Sequence, residues 1–145
     1  MIICDTSGLM AAYEHEGARE EQVTGVLNAE AQSLILSPFV LAELDYLMTS
    51  RSGVGGELRM LEYVASGVYR LAEFTPRDIG QAAEVVRQYK DLNIGLADAS
   101  IVVLADRYST TRVLTFDQRH FRAMKPLHAA SFTLLPADAE PVPRD

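Results

Sequence analysis

The sequence predicts an α/β fold in which a mainly parallel central sheet is covered by helices on both faces. Short apolar runs, typical of buried strands, alternate along the chain with segments whose apolar residues recur at helical spacing. This alternation implies parallel strands joined by helical crossovers. The chain has 145 residues, which is enough for one domain with a single core and too few for two.

The first half of the chain contains two predicted strands, at residues 1–4 and 33–36. The second strand leads directly into a helix, because Ser37 is a good N-cap and Pro38 suits the first helical position. We expect this helix to break within residues 49–56, which are rich in glycine, serine and threonine.

The second half continues the alternation. After a short helix that stops at Gly67, a third strand is expected at residues 68–74 and a helix opens at Thr75-Pro76. The helix predicted over residues 96–108 is apolar on nearly all sides, so it should lie deep in the fold.

The chain ends in two further predicted strands, at residues 112–116 and 132–135, the latter at an edge of the sheet. We expect one domain over residues 1–136. Residues 137–145 contain three acids and two prolines, which indicates a flexible C-terminal tail.

Composition narrows the class of protein. The net charge of −7 argues against a general polyanion binder, because phosphate contacts need lysine and arginine. Cys4 is the only cysteine, which excludes an internal disulfide and fits a reducing compartment. The N-terminus lacks the pattern of a signal peptide, and no stretch reaches the length of a membrane span. We expect a soluble cytoplasmic protein with no membrane association.

Acidic residues are predicted to meet at one end of the sheet. Asp5 and Asp117 each come directly after a strand, Asp98 lies in the first turn of the apolar helix, and Glu43 lies in the helix after the second strand. In such folds ligands bind at the carboxyl ends of the strands. Each acid alone also has a structural explanation, such as a turn, an N-cap or a solvated helix position.

A cluster of these acids requires a compensating cation. Two carboxylates about 4 Å apart repel each other by roughly 4 kcal/mol near a protein surface. All-oxygen ligands suit Mg²⁺ or Mn²⁺ rather than zinc, and a bound ion of this kind activates water and stabilises charge on phosphorus. Ser7 and Thr115 are candidates to support the carboxylates by hydrogen bonding, and Glu43 or Asp117 to position the attacking water.

Other chemistries are poorly supported by the sequence. It contains no glycine-rich phosphate loop of either common spacing. His15, His120 and His128 show no metal-ligand spacing, and none pairs convincingly with a serine or cysteine nucleophile. We interpret His120 as a surface or phosphate-contacting residue.

In order and spacing, the motifs resemble the PIN-domain family, and within it the VapC toxins of bacterial type II toxin–antitoxin pairs. The resemblance covers about Met1 to Pro136 and rests on Asp5-Thr6-Ser7, Ser37-Pro38 through Ala42-Glu43-Leu44, Ala97-Asp98-Ala99, and Leu114 to Phe121. Each motif is short, but the ordered set is fairly specific.

The resemblance implies a three-layer α/β/α sandwich and a Mg²⁺- or Mn²⁺-dependent endoribonuclease. It assigns the catalytic and metal-binding roles to Asp5, Glu43, Asp98 and Asp117, with Asp5 and Asp98 as the clearest ligands. Members of the family cut structured RNAs, notably tRNAs and the sarcin–ricin loop of large-subunit rRNA. They usually form homodimers and are silenced by a VapB antitoxin whose C-terminal part reaches into the acidic groove.

RNA binding requires positive charge, and Arg112, Arg119 and Arg122 are predicted to supply it, although a solvated helix face explains them equally well. A second surface is expected to combine core packing with an antitoxin groove. Its residues are Leu44, Tyr46, Leu47, Met48, Met60, Leu61 and Tyr63.

Two other function classes stay open. One is a non-catalytic PIN-like module that binds RNA or a partner without cutting. The other is a receiver-like signalling domain, but the sequence lacks an adjacent acid pair after the first strand and a clear central phosphoacceptor. Asp45, Asp91 and Asp106 are alternative acids for the site if the topology differs from this interpretation.

Overall fold

The structure, a computed structural model, describes residues 1–14, 17–29 and 33–141. Its five strands form one sheet in the order β3-β2-β1-β4-β5. The strands are β1 (Ile2–Cys4), β2 (Leu34–Leu36), β3 (Tyr69–Leu71), β4 (Arg112–Leu114) and β5 (Thr133–Leu135). Every pairing is parallel, which confirms the predicted parallel sheet and places the last strand at an edge, as expected.

Helices connect these strands and complete the predicted α/β/α sandwich. They are α1 (Thr6–Tyr13), α2 (Gly17–Ala29), α3 (Pro38–Ala65), α4 (Pro76–Gln88), α5 (Leu96–Arg107) and α6 (Gln118–Ala123), with a 3₁₀ turn at Lys90–Leu92. Residues Ala99 to Ala105 of α5 are all buried, so the deep position predicted from its apolar surface is confirmed. No helix in the described ranges combines the length and the apolar character needed to cross a membrane.

Two helix starts follow the local signals in the sequence. The Ser37 hydroxyl accepts a hydrogen bond from the Phe39 amide at 3.1 Å and caps α3. At the start of α4, the Thr75 hydroxyl accepts from the Asp78 amide, and the Asp78 carboxylate accepts from the Thr75 amide at 2.8 Å. This reciprocal capping satisfies two amides that a helix start otherwise leaves unpaired.

The structure contains helices that the sequence analysis missed and a helix break that it predicted. Helices α1 and α2 were not predicted. Helix α2 buries only Val23 and Val26, which is too few apolar positions for a clear helical period. The break expected over residues 49–56 is confirmed as a kink, because α3 consists of two helical stretches that meet at Gly53, which lies outside the helical conformation at φ 66° and ψ −172°. Glycine adopts positive φ without the steric penalty of a Cβ.

The central strand β1 and its two neighbours end together at one edge of the sheet. Cys4 at the end of β1 pairs in register with Leu36 of β2 and Leu114 of β4, so the carboxyl ends of these strands are level. The strand order changes direction between β1 and β4, which creates the crevice typical of ligand sites in parallel α/β folds. Asp5 and Thr115 are the next residues along these two strands.

Gly8 allows α1 to lie directly against the end of β4. A Cβ at this position would lie 2.5 Å from the Leu114 carbonyl oxygen and 2.8 Å from its carbonyl carbon. Backbone atoms cannot move aside as a flexible side chain can, so any residue larger than glycine would push the helix away. This close approach brings the first turn of α1 to the end of β4.

The C-terminal segment is only partly described. Asp138 accepts hydrogen bonds from the Leu134 amide at 2.8 Å and from both terminal nitrogens of Arg122. Residues 142–145 of the predicted tail, like His15, lie outside the described residues. The flexibility of the tail and the domain limit at residue 136 remain predictions.

Candidate active site

The predicted acids line one cleft of about 360 Å³ at the carboxyl edge of the sheet. We call them the acid cluster: Asp5, Glu43, Asp98 and Asp117. They come from four separate parts of the fold, namely the ends of β1 and β4 and the helices α3 and α5. None of the alternative acids named from the sequence, Asp45, Asp91 and Asp106, lines this cleft.

Asp5 is the most deeply placed member of the cluster, with 5% of its surface exposed. Its Oδ2 accepts hydrogen bonds from the Thr115 hydroxyl at 2.7 Å and the Ser7 hydroxyl at 2.9 Å. Each hydroxyl also accepts a hydrogen bond of 2.9 Å from a backbone amide. The donor to Ser7 is the Phe116 amide, and the donor to Thr115 is the Asp117 amide. Because a hydroxyl has only one proton, these amides help to direct both protons towards Asp5.

The environment of Asp5 affects its ionisation in opposing ways. Burial raises the pKa of the Asp5 carboxyl above its ordinary value, and the negative charge of Asp117 adds to this rise. Hydrogen bonds from Thr115 and Ser7 favour the charged form and lower the pKa, but they do not cancel the effect of burial. Both hydroxyls lie where the sequence analysis expected supporting groups.

The pKa of Asp98 responds to burial and to the charges of the other acids in the cluster. Burial, followed by the charge of Asp5, raises the pKa of Asp98 to about 6, and Asp117 and Glu43 contribute in the same direction. His120 opposes the shift, with its Nδ1 3.4 Å from Asp98 Oδ2. Only 18% of the Asp98 side chain is exposed, so water screens this repulsion poorly.

His120 joins the site in a way that the sequence analysis did not anticipate. Its Nδ1 lies 2.9 Å from Asp117 Oδ2, while its backbone amide donates to Asp117 Oδ1 at 3.1 Å. Asp117 therefore caps α6, as its structural explanation required, and faces the acidic cleft as well. The sequence did contain a signal for this contact, because His120 follows Asp117 by three residues. That spacing places His120 in the first turn of the following helix.

The donor atoms of the cleft fit a divalent cation. Asp98, Asp117 and His120 each offer one ligand atom, and these atoms lie within 4.8 Å of one another. The buried Thr6 hydroxyl also lines the cleft and has no hydrogen-bond partner within the described part of the chain. Carboxylates favour Mg²⁺ or Mn²⁺, and the imidazole adds a nitrogen donor that the sequence analysis had not included.

The arginines predicted to bind RNA do not line this cleft. Arg112 lies at the start of β4, at the end of the strand opposite to Thr115. Arg122 is held by Asp138, with N–O distances of 2.6 and 2.7 Å, and Arg119 is exposed on α6.

Two other arginines line the acidic cleft instead. Arg51 forms an ion pair with Glu14, and the guanidinium carbon of Arg19 lies 4.8 Å from the centre of the Phe116 ring. Arg19 was missed because no element had been predicted around it. Arg51 falls in the segment that was expected to be a break.

A larger groove of about 960 Å³ adjoins the acidic cleft. We call it the tyrosine groove after Tyr13, Tyr63 and Tyr69, whose rings meet edge to face. Of the residues predicted for an antitoxin surface, Met48, Met60 and Tyr63 line this groove, whereas Leu47 lines the acidic cleft and Leu44 is buried in the core. Glu14 and Arg51 line both cavities, so the two spaces are adjacent at this ion pair.

Comparisons with known proteins agree with this geometry. A family model described as PIN domain matches residues 2–126. The chain is 44% identical to Ribonuclease VapC26 of Mycobacterium tuberculosis over 135 residues, which cover 93% of this chain and all of that protein.

Solved structures share the fold. They include VapC20 of Mycobacterium tuberculosis, described as a sarcin–ricin loop cleaving toxin (TM-score 0.76, 20% identity, 85% of this chain and 95% of that one). Another is VapBC2 of Rickettsia felis, bound to promoter DNA (TM-score 0.64, 19% identity, 91% and 99% coverage). These two identities are low, so this likeness supports the fold alone. The family match over most of the chain, together with the 44% identical relative, shows that this chain belongs to the PIN-domain family, in its VapC ribonuclease group.

Proposed function

We propose that this protein is a divalent-metal-dependent endoribonuclease and the toxin of a type II toxin–antitoxin pair. The observation that carries the proposal is the acid cluster, in which Asp98 has a pKa of about 6. Among the described residues, no lysine or arginine forms an ion pair with these four carboxylates. The unbalanced negative charge is what a site for a divalent cation requires.

The residues of the cleft have separable roles in this proposal. A bound divalent cation would supply positive charge for the phosphorus centre and make a nearby water more acidic. Asp5, Asp98 and Asp117 would hold it, and the hydroxyls of Ser7 and Thr115 fix the orientation of Asp5. Such supporting hydrogen bonds hold ligands in their binding geometry.

Glu43 is our choice for the group that orients the attacking water and accepts its proton. It lines the cleft, is exposed, and its carboxylate forms no hydrogen bond within the described residues. Asp117 is less available for this role, because the amide and the ring of His120 already engage its two oxygens. A general base must reach the proton that it removes, and geometry is the first criterion.

Structured RNA is the proposed substrate, either tRNA or the sarcin–ricin loop of large-subunit rRNA. The name of the 44% identical relative supports ribonuclease activity, and the printed description of VapC20 gives one precedent for the loop. Contacts of Arg112, Arg119 and Arg122 with RNA phosphates remain part of the proposal. So do the homodimer and the cytoplasmic location implied by the family.

A VapB-type antitoxin is the proposed partner, and the tyrosine groove is where we place it. This groove offers aromatic and methionine side chains and shares Glu14 and Arg51 with the acidic cleft. A partner segment bound in the groove would therefore reach the acid cluster. Leu47→Asp and Met60→Asp variants that fold but lose binding to the cognate antitoxin would support this placement, and intact binding by both would contradict it.

The deciding experiment maps RNA cleavage by antitoxin-free protein. Total RNA and purified ribosomes are incubated with the protein in Mg²⁺, in Mn²⁺ or in EDTA, and new 5′ ends are sequenced. We expect a few discrete cuts that require metal, disappear in Asp5→Ala and Asp98→Ala, and persist in Asp91→Ala, an exposed acid outside the cleft. Absence of any cut by folded protein that binds metal would favour a non-catalytic binding module.

A further inference from the structure

A second cavity, of about 390 Å³, lies beside the acidic cleft. We call it the Arg19 pocket. Its lining includes Arg19, Gln22, Thr115, Phe116, Gln118 and Pro136. Arg19 lines both cavities, and Thr115, which lines the pocket, donates its hydroxyl to Asp5 of the acid cluster. The pocket and the acid cluster are therefore neighbours linked by shared residues.

The two cavities differ in charge. The acidic cleft is lined by the acid cluster and by Glu14, whereas the described residues that line the Arg19 pocket include no carboxylate. Arg19 forms no ion pair within the described residues; its guanidinium instead lies over the Phe116 ring at 4.8 Å. Among the described residues, no carboxylate competes with an anionic ligand for the hydrogen-bond donors of Arg19. An arginine placed in this way beside a carboxylate-rich cleft suits a ligand that carries its own negative charge.

The remaining walls suit a planar polar group. The ring of Phe116 is half-buried, and arginine planes and aromatic rings are the surfaces on which unstacked RNA bases pack. Gln22 lies one helical turn after Arg19 on α2, so the two side chains share a face. Gln118 approaches from α6, where its Oε1 accepts a 3.4 Å hydrogen bond from Arg122. Two side-chain amides supply both donors and acceptors for the edge of a base.

We propose that the Arg19 pocket binds the nucleotide next to the cleaved phosphodiester. Arg19 contacts the adjoining phosphate, the base packs against the Arg19–Phe116 pair, and Gln22 and Gln118 contact its edge. The inference rests on the proposed ribonuclease function. It adds a positioning and specificity element to the acid cluster, formed by residues outside that cluster.

The test uses an RNA hairpin library with a randomised loop, incubated with wild type and with Arg19→Ala and Gln118→Ala variants. Arg19→Ala should raise KM roughly tenfold with little change in kcat, a size typical of the loss of one base-stacking or phosphate contact. Gln118→Ala should flatten the base preference at one position beside the cut. The matched control is Arg87→Ala, which removes the same charge from an exposed arginine on α4 and should leave both readouts unchanged.

A second measurement tests the pocket independently of the nuclease function. Fluorescence anisotropy measures binding of the same library in EDTA. An equal Mn²⁺-induced rise in melting temperature for wild type and Arg19→Ala establishes that the variant is folded with an intact metal site. Binding in EDTA that Arg19→Ala weakens, combined with no cutting by the wild type in Mn²⁺, would support the pocket and contradict the nuclease. Cutting with the same KM and base preference in wild type, Arg19→Ala and Gln118→Ala would overturn the pocket alone. A loss in Arg19→Ala confined to antitoxin binding would also overturn it, and so would a wild type that binds no RNA.

Discussion

Replacing Asp98 with asparagine is expected to stabilise the protein in EDTA above pH 7, although the substitution removes part of the proposed active site. Burial and neighbouring carboxylates raise the pKa of Asp98 from 3.8 to about 6. Since the folded state binds this proton more tightly than the unfolded state, stability falls as pH rises from about 4 and the loss is complete above about 7. This rise in the pKa corresponds to a loss of folding stability of roughly 3 kcal/mol above pH 7. The variant does not lose this stability, because asparagine carries no charge.

The assay is urea unfolding of wild type and Asp98→Asn in EDTA at pH 5 and pH 8. We expect the variant to gain stability at pH 8 by ~1–3 kcal/mol, since lost contacts with His120 offset part of the electrostatic benefit. At pH 5 the benefit should fall to about half, because Asp98 is then mostly protonated in the folded state. Asp91→Asn, at an exposed acid, should change little at either pH. A variant that is less stable than wild type at pH 8, or whose effect is independent of pH, would refute the strained acid cluster.

Contacts around the cleft support three further predictions. Thr115→Val removes the 2.7 Å hydrogen bond to Asp5 and should weaken Mn²⁺ binding, measured by calorimetry, roughly 10–100-fold; unchanged affinity would show that this hydroxyl does not support the site. Gly8→Ala places a Cβ 2.5 Å from the Leu114 oxygen and should destabilise the fold by about 1–3 kcal/mol in urea unfolding, whereas Gly25→Ala, with open space around it, should not. Arg119→Ala combined with Arg122→Ala should weaken RNA binding and reduce its salt dependence, and an unchanged slope would remove these residues from the RNA contact surface.

The elements that the sequence predicted well depend on interactions between near neighbours. Ser37 caps α3 through an amide two residues away, and Thr75 and Asp78 cap each other within one turn. The position of Asp5 was also predicted from local sequence, because the apolar run that forms β1 ends at the residue before it. Because parallel strands of this fold align their carboxyl ends, these local placements were sufficient to predict that the acids would meet.

Weak local signals explain the missed elements. Helix α2 buries only Val23 and Val26, so its helical period is faint. The glycines within α3 correctly indicated a break, which occurs as a kink at Gly53, but they did not show that helix resumes directly on both sides of it. Tertiary contacts often outweigh intrinsic propensity in this way.

Sequence patterns were sufficient to predict the parallel α/β architecture and the convergence of the acids. The hydrogen-bond and ion-pair partners of the polar side chains became known only from the tertiary structure. The contact of Arg122 with Asp138, sixteen residues later, was not predicted. Arg19 lies over Phe116, and His120 reaches across to Asp98 from another helix. A hydrogen bond or an ion pair requires atoms within a few ångströms of each other, and such distances between remote residues are set by the packing of whole helices on the sheet.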